Sequence, residues 1–91
     1  MSDLSIPSEQ NRATSGFTEL QGQYLAFIHA YQKLHRVAPA EQDMEHYFRV
    51  TPPTVHRMVV ELEKRGLIAR TPRKARSIEL LVPPELLPAL R

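Results

Sequence analysis

The chain has 91 residues, of which 42% are hydrophobic and 24% are charged, and its net charge is only +2. This length supports one hydrophobic core, and the ordinary composition excludes both a disordered chain and a membrane span. The absence of cysteine excludes disulfides and thiolate metal sites and favours a reducing, cytoplasmic location.

The N-terminal residues 1–16 are rich in Ser, Gln and Asn and show no apolar period, which predicts a flexible arm. They contain Asp3 and Glu9, and they lack the basic start and apolar run of a signal peptide. We therefore expect neither export nor membrane anchoring.

The first helix is predicted to begin after Thr18, because Thr18 and Gln21 fit a capping box, and to run to about His35. Its apolar residues recur every three or four positions, which predicts one buried stripe. The stripe consists of Leu20, Tyr24, Phe27, Ile28, Tyr31 and Leu34.

Two further helices are predicted after an interruption at residues 37–39. The second covers 40–48 and offers Met44, Tyr47 and Phe48 to the core. The third has Thr51 as N-cap, proline in its first turn and a stop at Gly66. Its predicted apolar line is Val55, Val59 and Leu62.

After Gly66 the period changes to that of strands, over 67–70 and 77–81, joined by the basic loop 71–76. Three helices and a two-stranded β-hairpin predict an α+β winged helix-turn-helix spanning residues 17–82. We call the hairpin 67–81 the wing and residues 71–76 the wing loop. The Pro/Leu-rich tail 83–91 either folds back on the domain or packs on a partner.

The positive charge is concentrated in one segment. Residues 1–48 hold three basic and six acidic side chains, a net −3; residues 49–76 hold eight and two, a net +6; residues 77–91 hold one and two, a net −1. Such a concentration is typical of a surface that faces a polyanion, although a solvated face fits the composition equally well. The winged-helix order of elements favours the first, and we expect double-stranded DNA as the partner.

The third helix of a helix-turn-helix lies in the major groove and contacts bases through its first turns. Arg57 can donate in a fork to guanine, whereas Thr54 and His56 suit bases or phosphates; His56 is equally compatible with an inert surface position. The helix N-terminus at Thr51 is expected to offer free amides to a phosphate. The basic side chains of the wing are predicted to contact the DNA backbone or the minor groove. They are Arg70, Arg73, Lys74 and Arg76.

Three strings of sequence carry a family resemblance: "TPPTVHR" at 51–57, "LEKRGLI" at 62–68 and "RKARSIELL" at 73–81. Across residues 17–81 the chain resembles the DNA-binding domain of LexA-type repressors, which implies a third helix that reads an operator and a wing near the backbone. Glu45 and Arg49 depart from the small residue and the glycine of that pattern. Since Arg49 is not glycine, we expect a wider or differently shaped turn. Pro53 replaces a small polar residue at a DNA-facing position, so the operator preference is not expected to carry over.

The resemblance implies no catalysis here, because the self-cleaving second domain of such repressors has no counterpart in these 91 residues. We expect a free-standing, non-enzymatic regulator that forms a homodimer, since one domain covers a half-site. Candidate contact residues between the two copies, each of which can instead pack on its own domain, are Met58, Val60, Leu86, Leu87 and Leu90.

No cofactor, metal or small-molecule ligand is predicted, because His29, His35 and His46 show no zinc spacing. The spacing of Tyr24, Phe27 and Tyr31 favours core packing over a stacking platform for single strands. Two other hypotheses stay open. One is a winged-helix protein-interaction module, an adaptor or antirepressor; the other is binding to RNA or to any duplex through the wing alone.

Overall fold

A computed structural model describes residues 16–91, in which three helices precede a two-stranded antiparallel sheet. This order confirms the predicted α+β winged helix-turn-helix. The predicted arm lies outside the described residues except for Gly16. The elements are α1 (Glu19–His35), α2 (Glu41–Phe48), α3 (Pro52–Lys64), β1 (Ile68–Ala69), β2 (Glu79–Leu80) and a 3-10 turn (Pro84–Leu86).

Helix α1 begins with the predicted capping box. The Thr18 hydroxyl accepts from the Gln21 amide at 3.1 Å, and the Gln21 side chain accepts from the Thr18 amide at 3.0 Å. The middle of the predicted stripe is buried, but Leu20 and Leu34 are 54% and 77% exposed, so the stripe was predicted too long. Both lie near the ends of a helix about 25 Å long, which outreaches its shorter neighbours.

Helix α3 carries the predicted apolar line into the core. Val55, Val59 and Leu62 are fully buried, and they join Met44 of α2 and Ile28 of α1 in one cluster. Burial of such side chains stabilises the fold by roughly 1.5–3 kcal/mol each. The buried line fixes which side of α3 remains available to solvent.

The turn between α2 and α3 is tight, contrary to the expectation of a wider turn. Arg49 adopts the left-handed conformation at φ 58° and ψ 51°, in the position where glycine is usual. Its amide and that of Val50 both donate to the Glu45 carbonyl. These two bonds offset the steric cost of a left-handed arginine, so the helix-turn-helix keeps its geometry without glycine.

The two strands are shorter than predicted. Ile68 pairs with Leu80 and Ala69 with Glu79, and the Leu81 amide extends the ladder to the Leu67 carbonyl at 3.0 Å. Beyond the strands a side chain replaces backbone pairing: Ser77 Oγ accepts from the Thr71 amide at 2.9 Å and donates to the Thr71 carbonyl at 3.1 Å. The wing loop is therefore closed at its base by a serine instead of by strand pairing.

The tail folds back on its own domain, which is the first of the two alternatives that the sequence left open. The buried Gln23 carboxamide donates to the Ala89 carbonyl and accepts from the Arg91 amide, both at 2.9 Å. Leu87 and Leu90 pack against the core.

Close packing of the tail on α1 requires glycine at position 22. A Cβ there would lie 2.9 Å from Phe17 Cε1 and 3.1 Å from Pro88 Cγ, both tighter than ordinary contacts.

No helix within residues 16–91 combines the length and the apolarity needed to cross a bilayer.

Candidate nucleic-acid interface

The residues predicted to read bases share the solvent side of the first turns of α3. Thr51, Pro53, His56 and Arg57 are exposed and Thr54 is partly buried, whereas Val55 faces the core. The Thr51 and Thr54 hydroxyls lie 3.0 Å apart, so one donates to the other. Arg57 forms no ion pair with any residue of 16–91. This face combines hydroxyl groups with an unpaired guanidinium.

The start of α3 offers fewer free amides than the sequence predicts. The first two helical positions are prolines, which have no N–H, and the next amide, that of Thr54, donates to the Thr51 carbonyl at 3.0 Å. A phosphate at this end therefore has the hydroxyl of Thr51 to contact, but no amide from the first turn of the helix.

His56 contacts the first residue of α2. Its Nδ1 lies 3.3 and 3.4 Å from the two carboxylate oxygens of Glu41, while the His56 side chain stays 61% exposed. The contact joins the N-terminal turns of the two helices of the helix-turn-helix. It also leaves Nε2 of the ring available on the exposed side.

Two of the four predicted basic residues of the wing are occupied by carboxylates of the same chain. Arg70 donates to Glu63 at 2.9 and 3.3 Å and to Glu41 at 3.4 Å. Arg76 donates through Nη1 to Asp43 at 3.2 Å. The hydrogen bond that Arg76 makes to the Tyr31 hydroxyl, at 3.0 Å, raises the pKa of its guanidinium above the ordinary value.

The other two, Arg73 and Lys74, are exposed and have no ion-pair partner within the part of the chain that the structure describes. The wing loop presents them at a turn in which Arg73 is left-handed, at φ 63°, and the Lys74 amide donates to the Thr71 carbonyl at 3.2 Å. The four basic residues look equivalent in the sequence, but within the described residues Arg70 and Arg76 form ion pairs, whereas Arg73 and Lys74 do not.

The sequence placed Arg49 in the basic segment 49–76 but not among the candidate DNA contacts, and the structure shows it exposed beside the start of α3. Arg49 is exposed, lies two residues before Thr51, and makes no ion pair within residues 16–91. The sequence itself shows this cation, immediately before the helix that is predicted to read bases. Tyr31 and Asp43, the partners of Arg76, are not indicated by any such local pattern in the sequence.

The other candidate residues lie elsewhere. Met58 is partly buried against the core, as are Leu87 and Leu90, while Leu86 is 43% exposed. Val60 is partly buried. Among residues 16–91 there is no group of three His, Asp or Glu side chains placed to hold a metal ion.

Comparison with known proteins finds one family over most of the chain. The family model of the LexA DNA-binding domain matches residues 14–77. The LexA repressor of Thermosipho africanus (strain TCF52B) is 38% identical over 68 residues, covering 75% of this chain and 34% of that protein.

Two further LexA repressors give similar values. That of Thermosipho melanesiensis (strain DSM 12029 / CIP 104789 / BI429) is 39% identical over 64 residues, 70% of this chain and 32% of its own length. That of Bartonella quintana (strain Toulouse) is 36% identical over 66 residues, 71% and 28% respectively. The chain thus spans about a third of the length of the curated relatives that it matches.

Proposed function

The chain belongs to the LexA DNA-binding domain family, and from this premise we propose that it is a sequence-specific regulator of transcription that binds double-stranded DNA. The observation that carries the proposal is that some cations of the basic segment form ion pairs with the chain's own carboxylates while most do not. Of the eight in residues 49–76, Arg65, Arg70 and Arg76 form ion pairs within the described part of the chain. The other five do not: Arg49, Arg57, Lys64, Arg73 and Lys74.

In this proposal α3 lies in the major groove with its first turns against the base edges. Arg57 is the side chain with the geometry for a bidentate contact to guanine, which contributes roughly 1–3 kcal/mol of discrimination. Thr51, Thr54 and His56 serve neighbouring bases or phosphates, and Pro53 supplies an apolar surface for a thymine methyl group. The support is their shared exposure on one side of α3, opposite the buried line.

The wing loop lies along the phosphate backbone. Arg73 and Lys74 are the phosphate contacts, joined by Arg49 beside the start of α3, since these three cations are exposed and unpaired among the described residues. Each phosphate contact contributes about 0.9 to the slope of log affinity against log salt concentration. The contacts of Arg70 and Arg76 to carboxylates favour a supporting role for those two arginines over direct contact with DNA.

The regulator acts as a repressor, as its matched relatives are named, and does so by occupying its operator without catalysis. It works in the cytoplasm, a location that the absence of cysteine favours. Two copies bind adjacent half-sites, because one domain covers only a few base pairs. The side chains left exposed or half-buried, above all Leu86 and Val60, are where a second copy can make contact.

Selection from a random duplex pool at two salt concentrations tests this function. We expect an enriched palindromic motif and an affinity that falls steeply with salt. Arg57→Ala is then expected to lose about 1–3 kcal/mol of discrimination at one base pair of each half-site. The matched control is Lys64→Ala, which removes an equally unpaired cation from the far end of α3 and should leave the motif unchanged.

Three other results would point elsewhere. Salt-sensitive binding without an enriched motif supports a nonspecific duplex or RNA binder. An unchanged motif in Arg57→Ala removes that arginine from the base-reading set. A failure to bind any duplex, with stable capture of a protein partner, supports the interaction-module hypothesis.

A further inference from the structure

The wing loop is held at both ends by the first turn of α2. Arg70, just before the loop, donates to Glu41 at the first position of α2, and Arg76, its last residue, donates to Asp43 at the third. Strand pairing adds little near the loop, since each strand contributes only two residues to the sheet. The placement of the loop therefore depends on these arginines.

Arg76 connects three separate segments through one nitrogen. Its Nη1 lies 3.0 Å from the Tyr31 hydroxyl of α1, 3.1 Å from the Ala38 carbonyl and 3.2 Å from Asp43 Oδ2 of α2. The same Asp43 oxygen accepts from the Ala40 amide at 2.8 Å, which caps α2. The acceptors are thus fixed by helix structure, and Arg76 ties the end of the wing loop to a rigid frame.

A cleft of about 500 Å³ separates the wing loop from the start of α2. It is lined by residues 39–41 on one side and by residues 70–78 on the other, with Glu63 between them. The side-chain hydrogen bonds that reach from the wing to α2 and to the segment before it come from Arg70 and Arg76. Apolar anchoring begins only at the buried Ile78, after the loop, so losing either arginine is expected to loosen the loop relative to α2.

We propose that Arg76 is a positioning residue for DNA binding: its contacts with Tyr31, Ala38 and Asp43 fix the wing loop so that Arg73 and Lys74 meet the phosphate backbone. This inference rests on the proposed DNA-binding function and deepens it. It assigns to Tyr31 and Asp43, which bear no positive charge, a part in DNA affinity.

Substitutions of the partners separate this role from a direct contact, because they leave the charge of Arg76 in place. Tyr31→Phe removes one acceptor and no charge. We expect it to weaken binding to the selected duplex by about three- to tenfold, the effect of one net hydrogen bond. Its matched control is Tyr47→Phe, which removes a hydroxyl that donates to the Arg91 carbonyl on the tail and should change the Kd by less than about twofold.

Simple electrostatics and the positioning role predict opposite effects of Asp43→Asn on DNA affinity. Removing an acid from a protein that binds a polyanion should tighten binding, and that is the result expected for the control Glu45→Gln on the same helix. If the charge of Asp43 holds Arg76 in place, Asp43→Asn instead weakens binding, because the asparagine oxygen still caps α2 through the Ala40 amide but contacts Arg76 without the ion pair. Tighter binding by Asp43→Asn would overturn the proposal.

A double-mutant cycle tests whether the effect passes through Arg73 and Lys74. In a background with both replaced by alanine, Tyr31→Phe should have no further effect on the Kd, since the loop no longer carries the cations that it positions. A loss of the same size in both backgrounds would show that Tyr31 acts on DNA by another route.

The free protein supplies a readout that does not depend on DNA. The heteronuclear NOE of the Arg73 and Lys74 amides is expected to fall in Tyr31→Phe and to stay unchanged in Tyr47→Phe, with thermal unfolding little altered. If the wild-type chain binds no duplex but the loop is loosened, the proposed function fails while the structural role of Arg76 stands. If the wild type binds and neither the NOE nor the Kd responds, the positioning role is overturned while the function stands.

Discussion

The wing loop and the tail are both attached to the helical core by residues far apart in the sequence, but the two attachments differ in chemistry. The wing loop is held by exposed or half-buried ion pairs of Arg70 and Arg76. The tail, residues 83–91, is held mainly by Leu87, Leu90 and the uncharged carboxamide of the buried Gln23, with one exposed ion pair, Arg91–Glu19, at its end.

This difference separates an attachment that depends on charge from one that depends mainly on uncharged contacts. Salt screens exposed pairs such as Arg76–Asp43, whereas apolar packing and amide hydrogen bonds respond far less. The attachment of the wing loop is therefore expected to weaken as salt rises, while the tail continues to brace α1.

The largest effect on stability is expected at the tail. Gln23→Leu removes both hydrogen bonds to the tail backbone, to Ala89 and Arg91, and should lower the free energy of unfolding by about 1–3 kcal/mol. Thermal unfolding measures this as a fall of roughly 4–8 °C per kcal/mol. Gln32→Leu, at an exposed position of the same helix, is the control. DNA affinity below the unfolding temperature should not change, and a large loss of affinity would contradict the separation of the two regions.

A smaller effect is expected from Gly22→Ala. Alanine gains up to about 1 kcal/mol of helix propensity, but the new methyl group meets Phe17 and Pro88 at less than ordinary contact distance, and overpacking costs about 1–3 kcal/mol. We expect a net loss of stability of about 1 kcal/mol from these opposing terms. Adding Pro88→Ala should recover part of it, and no recovery would show that Pro88 of the tail contributes nothing to the cost and that the clash with Phe17 accounts for it.

The same contrast explains what could be predicted from the sequence. The capping box at Thr18 and the apolar line of α3 depend on residues three or four positions apart, so the sequence shows them directly. Leu20 and Leu34 of the α1 stripe follow the same period, but the prediction that they are buried was wrong, because the period does not show where the neighbouring elements that would cover them end.

Patterns of this short range could not predict the contacts of the wing loop and of the tail. Arg76 bonds to Tyr31 across 45 positions and Arg91 to Gln23 across 68. In the sequence, Arg76 differs in no local feature from Arg73, and only the fold shows which of the two is already paired. The left-handed Arg49 was missed for the converse reason: the local rule favouring glycine was overridden by two hydrogen bonds to Glu45.

A third prediction concerns the other end of the wing loop. Glu41→Gln weakens the half-buried ion pair to Arg70, which contributes about 0.2–1 kcal/mol, and also changes the hydrogen-bond partner of His56. We expect a loss of stability of less than about 1 kcal/mol. Chemical denaturation compares it with Glu85→Gln, an exposed acid in the tail without an ion pair among residues 16–91. Equal stabilities would mean that Glu41 does not secure the wing loop.

The smallest effect is the most direct test of the comparison. Arg76→Met should unfold at a slightly lower denaturant concentration than the wild type at low salt, and this difference should shrink as sodium chloride rises toward about 1 M, where the screening length falls to about 3 Å. The difference between wild type and Gln23→Leu should persist over the same range, because no charge is involved. Arg65→Met, which breaks the ion pair to Glu61 within α3, is the control for loss of an exposed pair outside the wing. It should match Arg76→Met in salt response, while only Arg76→Met lowers the heteronuclear NOE of the wing loop. A salt-insensitive loss in Arg76→Met would mean that packing of the arginine stem, and not its charge, holds the wing loop in place.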